Sequence, residues 1–531
     1  MGHPAPQRPW YLDAVFYQVS TRTYCDSDGD GIGDFRGLAS KLDHIRSLGA
    51  DCIWLMPHYP SPLFDDGYDV ADFYRPHPDY GSLEDFRHLV AACHERGLRL
   101  ITDLVLNHVS DRHPWFREAR RAPESRYRDY FVWSETGSEY PEAPIIFSEV
   151  KRSNWTFDER AGLYYWHRFF PQQPDLNYDH PEVGEEMLRA ARFWLALGVD
   201  GFRVDAVPYL YERPATRCEN LPETHGFCRR LRRLVDEHFP EAVLLCEANQ
   251  PLPELLPYLD GEFHLGFHFP LMTRLFLALA QGRAQGLREV LEPRAPLPAG
   301  TGLVTFLRNH DELTLEKVTA AEKELMLATY GAGVHHTVNG GIPRRLAPLL
   351  GNDRRKIELL WALLLGLDQP LCLYYGDEIG MGEDPSLPDR HPVRTAMQWS
   401  DGPQAGFSTA AEIRVPMVRD PTYGRQRVNV ARARARPDSL LHRLSRWIAR
   451  RKESPALRRG RLELLPPEVP ELLAWRRVAE EETVLAAYNF SDRPLAVELP
   501  GELYAASSAD AGKGTIEPYG WRWLRPSPAA P

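Results

Sequence analysis

Long, uninterrupted apolar runs are few in this chain of 531 residues. The longest, IELLWALLLGL, contains Glu358 and is followed by Asp368, so it is too short and too charged to span a bilayer. The first ten residues, MGHPAPQRPW, have no apolar core and carry a proline at position 6, which argues against a secretory signal and a myristoylation motif. We therefore expect a soluble protein that is not exported and has no membrane partner.

Cysteine is scarce, and an excess of positive charge is absent. The seven cysteines, at positions 25, 52, 93, 218, 228, 246 and 372, mostly lie inside apolar runs, which favours reduced core thiols over disulfides or a zinc site. This predicts a cytoplasmic protein. The net charge is −11 and no cluster of Lys and Arg is interleaved with aromatic residues, so nucleic acid is not an expected partner. The sequence leaves homo-oligomerisation open.

One pattern recurs along the chain: an amphipathic helix, a glycine, and an apolar strand that ends in polar residues. Leu38, Leu42, Ile45 and Leu48 share a helical face, Gly49 ends that helix, and CIWLMP follows as a strand. Eight such strands are predicted: AVFYQV, CIWLMP, LITDLVLNH, GFRVDAV, VLLCEAN, HLGFHFP, LVTFLRNHDE and LCLYYGDEIG. They predict an α/β protein with a (β/α)₈ TIM barrel, whose active site lies at the carboxyl ends of the strands.

The length and the 43% hydrophobic content predict more than one domain. The barrel is expected over residues 1–108 and 179–458. Residues 109–178 break the repeat and are rich in aromatic residues and arginine, so they are predicted to form an inserted lid domain after the third strand. Residues 459–531 contain short alternating runs such as TVLAAYNF and GWRWL, which predict a C-terminal antiparallel β-sandwich domain.

Carboxylates stand at the ends of the fourth and fifth predicted strands. Arg203 and Asp205 are two residues apart and therefore face the same way, so the cation is expected to lower the pKa of Asp205, as a nucleophile requires. By itself this pair fits a structural ion pair equally well. Glu247 follows four apolar residues, and burial there would raise its pKa toward that of a general acid.

The third and seventh strands also end in polar residues. The seventh presents His310 and Asp311, a donor and an acceptor able to bind vicinal sugar hydroxyls. The third ends in DLVLNH, with Asn107 and His108 at the barrel mouth. Each motif is weak alone, because a single histidine or acid usually has a structural role. Four such motifs at strand ends indicate a common site.

The motifs DLVLNH, GFRVDAV, EAN and RNHD, in this order, resemble the four signature regions of the α-amylase superfamily, glycoside hydrolase family 13. The resemblance implies that Asp205 is the nucleophile, Glu247 the acid/base and Asp311 the acid that stabilises the transition state. It further implies a set of residues that bind substrate: Tyr68 as a stacking platform, Asp69 as a hydroxyl anchor, His108, Gln173, Arg203, His310, and Arg394, which would reach Asp69.

The acidic segment DSDGDGIGD predicts a structural calcium (Ca²⁺) site. It spaces Asp26, Asp28, Asp30 and Asp34 around a turn at Gly31, and the carbonyl of Ile32 would complete a ring of hard oxygen ligands. The alternative is an acidic turn without metal, since the twelfth position is Gly37 and not Glu. The family resemblance implies a second site, whose ligands would be Asn107, Asp175, Glu212 and the carbonyls of Tyr209 and Leu210.

Longer stretches, including YYWHRFFPQQPDLNYDHP and RRLAPLLGNDRRKIELL, resemble the branch of this family that interconverts the disaccharides maltose and trehalose. The resemblance implies a retaining isomerisation through a covalent glucosyl intermediate, with glucose as a minor hydrolysis product. Ala396, Pro251 and the stretch GAGVHHTVNGGIPRRL depart from that branch. Two alternatives stay open: an α-glucosidase or other transglucosidase, and a catalytically silent homologue that binds a sugar or a partner protein.

Overall fold

Eight parallel strands close into a barrel in the computed structural model, in which the first strand pairs with both the second and the eighth. The structure describes residues 8–292, 296–334, 336–466, 468–507 and 514–526. The barrel strands, here β1 to β8, are Val15–Val19, Cys52–Leu55, Arg99–Val105, Gly201–Asp205, Val243–Cys246, Leu265–Phe267, Gly302–Phe306 and Leu371–Tyr374. The predicted barrel is confirmed. The prediction for residues 1–7 lies outside the described residues.

The strands are apolar because helices cover their outer face and side chains fill their inner face. Every residue of β1, β2, β4 and β5 is buried. The helix Leu83–Glu95 begins with a capping box between Ser82 and Asp85. The helix Leu42–Leu48 ends at Gly49, whose φ of 99° suits glycine and allows the chain to turn into β2.

Helices fill the segments between the strands, and none of those described is long and apolar enough to cross a membrane. The α-helices are Thr21–Tyr24, Phe35–Ala39, Leu42–Leu48, Leu83–Glu95, Pro114–Ala119, Pro181–Ala196, Pro222–His238, Leu252–Leu255, Phe269–Gln281, Gln285–Leu291, Ala320–Tyr330, Leu346–Leu349, Arg354–Leu365, Val430–Arg434, Leu440–Glu453 and Pro455–Arg459. The 3₁₀ helices are Trp10–Leu12, Pro78–Tyr80, Arg128–Tyr130, Val207–Tyr209, Leu256–Leu259, Asp377–Ile379, His391–Val393 and Pro403–Gly406.

The insertion after β3 contains a small antiparallel sheet, with strands Trp133–Ser134, Trp155–Asp158 and Leu163–Trp166. The aromatic residues noted in the sequence form its core, where Trp155 and Trp166 are buried. A β-bridge between His108 and Asp175 ties the end of the insertion to the end of β3. The insertion therefore reaches the barrel mouth.

The C-terminal part is an antiparallel β domain, as predicted. Its larger sheet contains, in spatial order, Arg461–Leu464, Leu472–Val478, Thr483–Asn489, Trp521–Arg525 and Glu502–Ala506, and a smaller sheet pairs Leu495–Ala496 with Thr515–Ile516. The Tyr488 hydroxyl donates to the carbonyl of Ala362, which joins this domain to a barrel helix. The exact domain boundaries stay predictions. All seven cysteines are buried and unpaired.

Candidate active site

A cavity of about 130 Å³ opens at the carboxyl ends of the barrel strands. The three predicted acids all line it. Tyr68, His108 and His310 line it as well. The structure therefore brings six of the predicted site residues to one cavity: Asp205, Glu247, Asp311, Tyr68, His108 and His310.

Strand register places the acids beside one another. Val105 of β3 pairs with Asp205 at the end of β4, and Val204 pairs with Cys246 of β5, so that Glu247 is the first residue beyond β5. Ala206, which follows Asp205, adopts a left-handed conformation with φ 48°, and its amide donates to Glu247 Oε2 at 3.3 Å. The turn after the nucleophile strand thus holds the candidate acid/base close to it.

Arg203 connects the carboxylates at the bottom of the cavity. Its Nη1 donates to Asp103 Oδ1 at 2.5 Å and to Asp205 Oδ1 at 2.6 Å, while its Nη2 lies 2.5 Å from Glu247 Oε1. The guanidinium is almost fully buried and lies over the Trp54 ring. One rigid group therefore binds both candidate catalytic carboxyls and holds them beside each other.

The pKa values of the two catalytic candidates differ. Burial and the charges of Asp205 and Asp311 raise the pKa of Glu247 to about 8, against the opposing effect of Arg203, so this carboxyl carries a proton at neutral pH. Burial also raises the pKa of Asp205 to about 6, with Arg203 opposing and Asp103 adding to the rise. The predicted lowering is wrong because burial outweighs the effect of Arg203 on the pKa, yet Asp205 is still mainly ionised at neutral pH.

Asp311 is held by cations. Its Oδ1 accepts from Arg390 Nη1 at 3.0 Å and from Arg394 Nη2 at 2.9 Å, and His310 Nε2 lies 3.2 Å from its Oδ2. Burial raises the pKa of Asp311, but His310, Arg390 and Arg394 outweigh it and hold the pKa well below its ordinary value. Asp311 therefore stays ionised beside the other two acids.

The structure corrects the prediction for Asp69. Its carboxylate is fully buried and accepts hydrogen bonds from Ser61 and from the amides of Phe64 and Asp65, so it holds its own loop together. Asp65 lines the cavity in its place. Arg394 likewise reaches Asp65 at 3.4 Å and Asp66 at 2.9 Å, not Asp69 as predicted.

Gln173 also differs from its prediction. Its side-chain amide donates to Asp65 Oδ2 at 3.3 Å and accepts from the Phe170 amide, and the side chain is fully buried. It therefore positions Asp65 instead of lining the cavity. Arg203 and Arg394 act in the same way, behind the acids that they bind.

Tyr68 and His310, which both line the cavity, are held in place by neighbouring side chains. The Tyr68 and His310 rings stack at 5.3 Å, and Gln18 Nε2 lies 2.7 Å from His310 Nδ1. His108 Nε2 has no hydrogen-bond partner among the described residues. A neutral imidazole nitrogen without a partner in a cavity wall is available to a sugar hydroxyl.

Sequence reasoning missed Arg390 and Phe147. Arg390 lines the cavity, bridges Asp65 at 2.7 Å and Asp311 at 3.0 Å, and lies 5.0 Å from the centre of the Phe147 ring. Phe147 belongs to the insertion and stacks on Phe170 at 4.6 Å. The position of Arg390, four residues before Arg394, could have indicated that it also belongs to the site. Nothing in the sequence distinguished Phe147 from the other aromatic residues of the insertion.

Part of the acidic segment fits a calcium ion. Carboxylate oxygens of Asp26, Asp28 and Asp34 lie within 4.8 Å of one another. Asp30 is not in this group, and its Oδ1 accepts from the Ile32 amide at 2.8 Å. Three hard oxygen donors around a turn suit Ca²⁺.

The second implied site contains buried oxygens without partners. Asn107 Oδ1 and Asp175 Oδ1 make no hydrogen bond within the described part of the chain. Burial raises the pKa of Asp175 to about 7, and burial together with the charge of Asp175 raises the pKa of Glu212. A cation between them would relieve that repulsion, so these side chains fit a calcium ion. Tyr209 and Leu210, whose carbonyls are the other implied ligands, directly precede Tyr211 and Glu212.

A (β/α)₈ barrel with an ionised acid, a protonated acid and a third carboxylate around one cavity defines a glycoside-processing barrel enzyme. Residues 18–460 match the family described as the alpha amylase catalytic domain, and the chain belongs to that family.

The chain is similar to several characterised relatives. It is 50% identical over 501 residues to the trehalose synthase/amylase TreS of Mycobacterium tuberculosis, covering 92% of this chain and 83% of the relative. It is 46% identical over 507 residues to a trehalose synthase of Pimelobacter, covering 92% and 88%. Among solved structures, the trehalulose synthase MutB from Pseudomonas mesoacidophila has a TM-score of 0.81 at 28% identity, covering 98% of this chain and 100% of that one.

Proposed function

We propose that the protein interconverts maltose and trehalose by a retaining double displacement and releases a minor share of glucose. The observation that carries this proposal is the single guanidinium of Arg203, which binds an ionised Asp205 and a protonated Glu247 in one cavity. The names of the relatives at 46–50% identity support the choice of substrates.

In the first displacement, Asp205 attacks the anomeric carbon of the non-reducing glucose of maltose. Glu247 gives its proton to the glycosidic oxygen, so the C–O bond breaks and glucose leaves neutral. The products are a glucosyl ester on Asp205 and an ionised Glu247. Asp311 and His310 contact the ring as it flattens toward an oxocarbenium ion, and cationic Arg390 and Arg394 keep Asp311 charged.

In the second displacement, the freed glucose turns and presents its anomeric hydroxyl. Glu247 removes the proton of that hydroxyl, the oxygen attacks the glucosyl carbon, and Asp205 leaves as the carboxylate. Both steps invert the same carbon, so the α configuration is retained and an α,α-1,1 link forms. Attack by water in place of the glucose hydroxyl gives a second glucose, which accounts for the minor product.

Isomerisation requires that glucose stays in the cavity and that water stays out. Contacts between the insertion and the barrel loops support this. The Phe147 amide donates to Asn339 Oδ1 at 3.4 Å, and the Gly340 amide donates to Glu149 Oε1 at 2.6 Å. With Phe147 beneath Arg390, the insertion closes over the edge of the site.

We further propose that the Asp26–Asp28–Asp34 cluster and the Asn107–Asp175–Glu212 group bind structural Ca²⁺, and that the protein acts in the cytoplasm. A calcium ion would supply positive charge that stabilises two loops. The proposed displacements use carboxylates alone, so neither ion takes part in a step. The seven buried, unpaired thiols support a reducing compartment.

Product analysis with maltose tests the proposal. The expected result is mainly trehalose with minor glucose, measured by ¹³C NMR, and no incorporation of labelled glucose added to the solution. Asp205→Asn is the control, and it should keep its fold by circular dichroism but lose at least about 10³-fold of the turnover.

Glucose as the dominant product would contradict isomerisation and favour the hydrolase alternative, which the word amylase in the name of the Mycobacterium tuberculosis relative keeps open. No turnover of maltose, trehalose or sucrose would favour the silent, sugar-binding homologue.

A further inference from the structure

We infer that Gln18 is a positioning residue that keeps His310 neutral, with the ring proton on Nε2, the nitrogen beside Asp311. The effect on turnover rests on the proposed function, whereas the position of the proton can be observed without it. Gln18 lies on β1, is fully buried, and takes no part in the mechanism above.

Strand register brings Gln18 to His310. Gln18 pairs with Trp54 of β2 and with Tyr374 of β8, so the three side chains point the same way. The Trp54 ring meets the His310 ring edge-on, with 5.8 Å between the ring centroids. Gln18 Nε2 lies 2.7 Å from His310 Nδ1, while Asp311 Oδ2 lies 3.2 Å from His310 Nε2. The imidazole is therefore held between an amide and a carboxylate.

These two neighbours decide which ring nitrogen carries the proton. Asp311 is ionised, so its carboxylate only accepts hydrogen bonds, and Nε2 of His310 must donate to it. A neutral imidazole has a single N–H group, so Nδ1 then presents a lone pair and needs a donor. The side-chain amide of Gln18 supplies that donor with its Nε2.

The other end of the Gln18 amide gains nothing from its position. Its Oε1 is buried and has no hydrogen-bond partner within the described residues. A buried polar atom without a partner disfavours folding. An apolar side chain of the same size would fill this position without that cost, so the benefit of a glutamine here is the hydrogen bond to His310.

The charges that face His310 show why a neutral ring matters. Burial holds its pKa well below the ordinary value against the opposing effect of Asp311, and three cations add to the lowering: Arg394, Arg203 and Arg390. Protonation of Nδ1 would make the ring a cation that pairs with Asp311. That pairing would weaken the negative charge that Asp311 directs to the oxocarbenium ion. A donor at Nδ1 opposes this protonation.

Neutron diffraction from a crystal of the protein exchanged into D₂O shows the proton positions directly. In the wild type, deuterium is expected on Nε2 of His310 and not on Nδ1. In Gln18→Glu the new carboxyl shares a proton with Nδ1, and because imidazole is the stronger base, deuterium is expected on both ring nitrogens. Deuterium on Nδ1 of the wild type, or a ring that Gln18→Glu leaves unchanged, would overturn the inference.

Kinetics with maltose test whether the proton position affects the proposed reaction. Gln18→Glu makes the ring a cation and Gln18→Met removes the donor, so kcat should fall about tenfold in both, the effect of one buried hydrogen bond. KM should change less, because the contacts of His310 and Asp311 strengthen as the glucose flattens. The trehalose-to-glucose ratio should stay close to that of the wild type, since both products come from the same glucosyl ester.

Gln398→Met is the matched control. Gln398 is also fully buried, with an Oε1 that lacks a partner in the described part of the chain, but its Nε2 donates to the carbonyls of Tyr423 and Val428, away from the cavity. This variant should lower the melting temperature and leave kcat unchanged. A wild-type kcat in both Gln18 variants would overturn the role of Gln18 alone. No turnover of maltose by the wild type would instead overturn the proposed function, and the proton positions on His310 would still decide the inference.

Discussion

Replacing Asp103 by Asn should shift the acid limb of the pH profile to lower pH. Activity requires an ionised Asp205, whose pKa of about 6 sets the acid limb, and a protonated Glu247, whose pKa of about 8 sets the alkaline limb. The charge of Asp103 disfavours ionisation of Asp205. Removing that charge therefore favours the ionised form and lowers the acid limb.

The size of the shift follows from the geometry around Arg203. Asp103 Oδ1 and Asp205 Oδ1 accept from the same nitrogen, at 2.5 and 2.6 Å, so they are at most about 5 Å apart. Two unit charges at that separation repel by about 3 kcal/mol at an effective dielectric constant of about 20. The pKa of Asp103 is itself raised to about 6, so it is only partly charged across the limb. Roughly half of the repulsion, about 1.4 kcal/mol, corresponds to a shift of one pH unit.

The assay is kcat/KM for maltose across both limbs, because this quantity reports the pKa values of the free enzyme. The acid midpoint should move from about 6 to about 5, and the alkaline midpoint should move less. Trp54 donates to Oδ2 of Asp103 and Arg203 donates to Oδ1, so the single oxygen of Asn keeps one of these two hydrogen bonds, and the melting temperature checks that the fold persists. An acid midpoint that stays in place or rises would refute the electrostatic reasoning.

Two stability predictions concern buried polar groups. Both ring nitrogens of His58 lack a hydrogen-bond partner among the described residues, and the ring stacks on Phe86. An unpaired buried polar group costs about 1–3 kcal/mol of folding free energy, so His58→Phe should raise the melting temperature. A lower melting temperature would contradict this account. Burial lowers the pKa of His58 to about 3, so between pH 6.5 and about pH 3 the imidazole binds a proton only in the unfolded chain. The stability of the wild type therefore decreases as pH falls in this range, and the stability advantage of the variant in urea unfolding should grow. Removing Ca²⁺ with a chelator should lower the melting temperature of the wild type, and Asp28→Asn should reduce that decrease. If the melting temperature of the wild type does not change with chelator, the calcium proposal fails.

The barrel and its three acids could be predicted from the sequence because both depend on local patterns. Buried parallel strands are continuous apolar runs, and their carboxyl ends meet at one face of a barrel. Asp205, Glu247 and Asp311 each stand at or just beyond such an end, so strand order alone brings them together.

The sequence could not predict in the same way which acid of the loop DDGYD faces the cavity. Leu63 and Asp66 adopt left-handed conformations, with φ of 62° and 46°, and these turns direct Asp65 to the cavity and Asp69 into the loop. Residue spacing does not determine which acid of such a loop faces outward. The sequence therefore identified the loop but assigned the wrong residue.

The pKa of Asp205 shows a second limit of prediction from the sequence. Sequence spacing identified its neighbour Arg203, but the net pKa shift depends on burial and on the charges of Asp103 and Asp65, which lie far from Asp205 in the chain. Arg390 was missed for a similar reason, since its partners Asp65 and Asp311 lie far from it in the chain.

Mass spectrometry of a trapped intermediate tests most directly whether Asp205 attacks while Glu247 transfers the proton. With α-glucosyl fluoride, fluoride leaves without protonation, so Glu247→Gln should still form the glucosyl ester but lack the base that activates an acceptor. The account predicts that the proteolytic peptide containing Asp205 carries one glucosyl group. Release of fluoride with an unmodified Asp205 peptide, or with a glucosyl group on another residue, would contradict it.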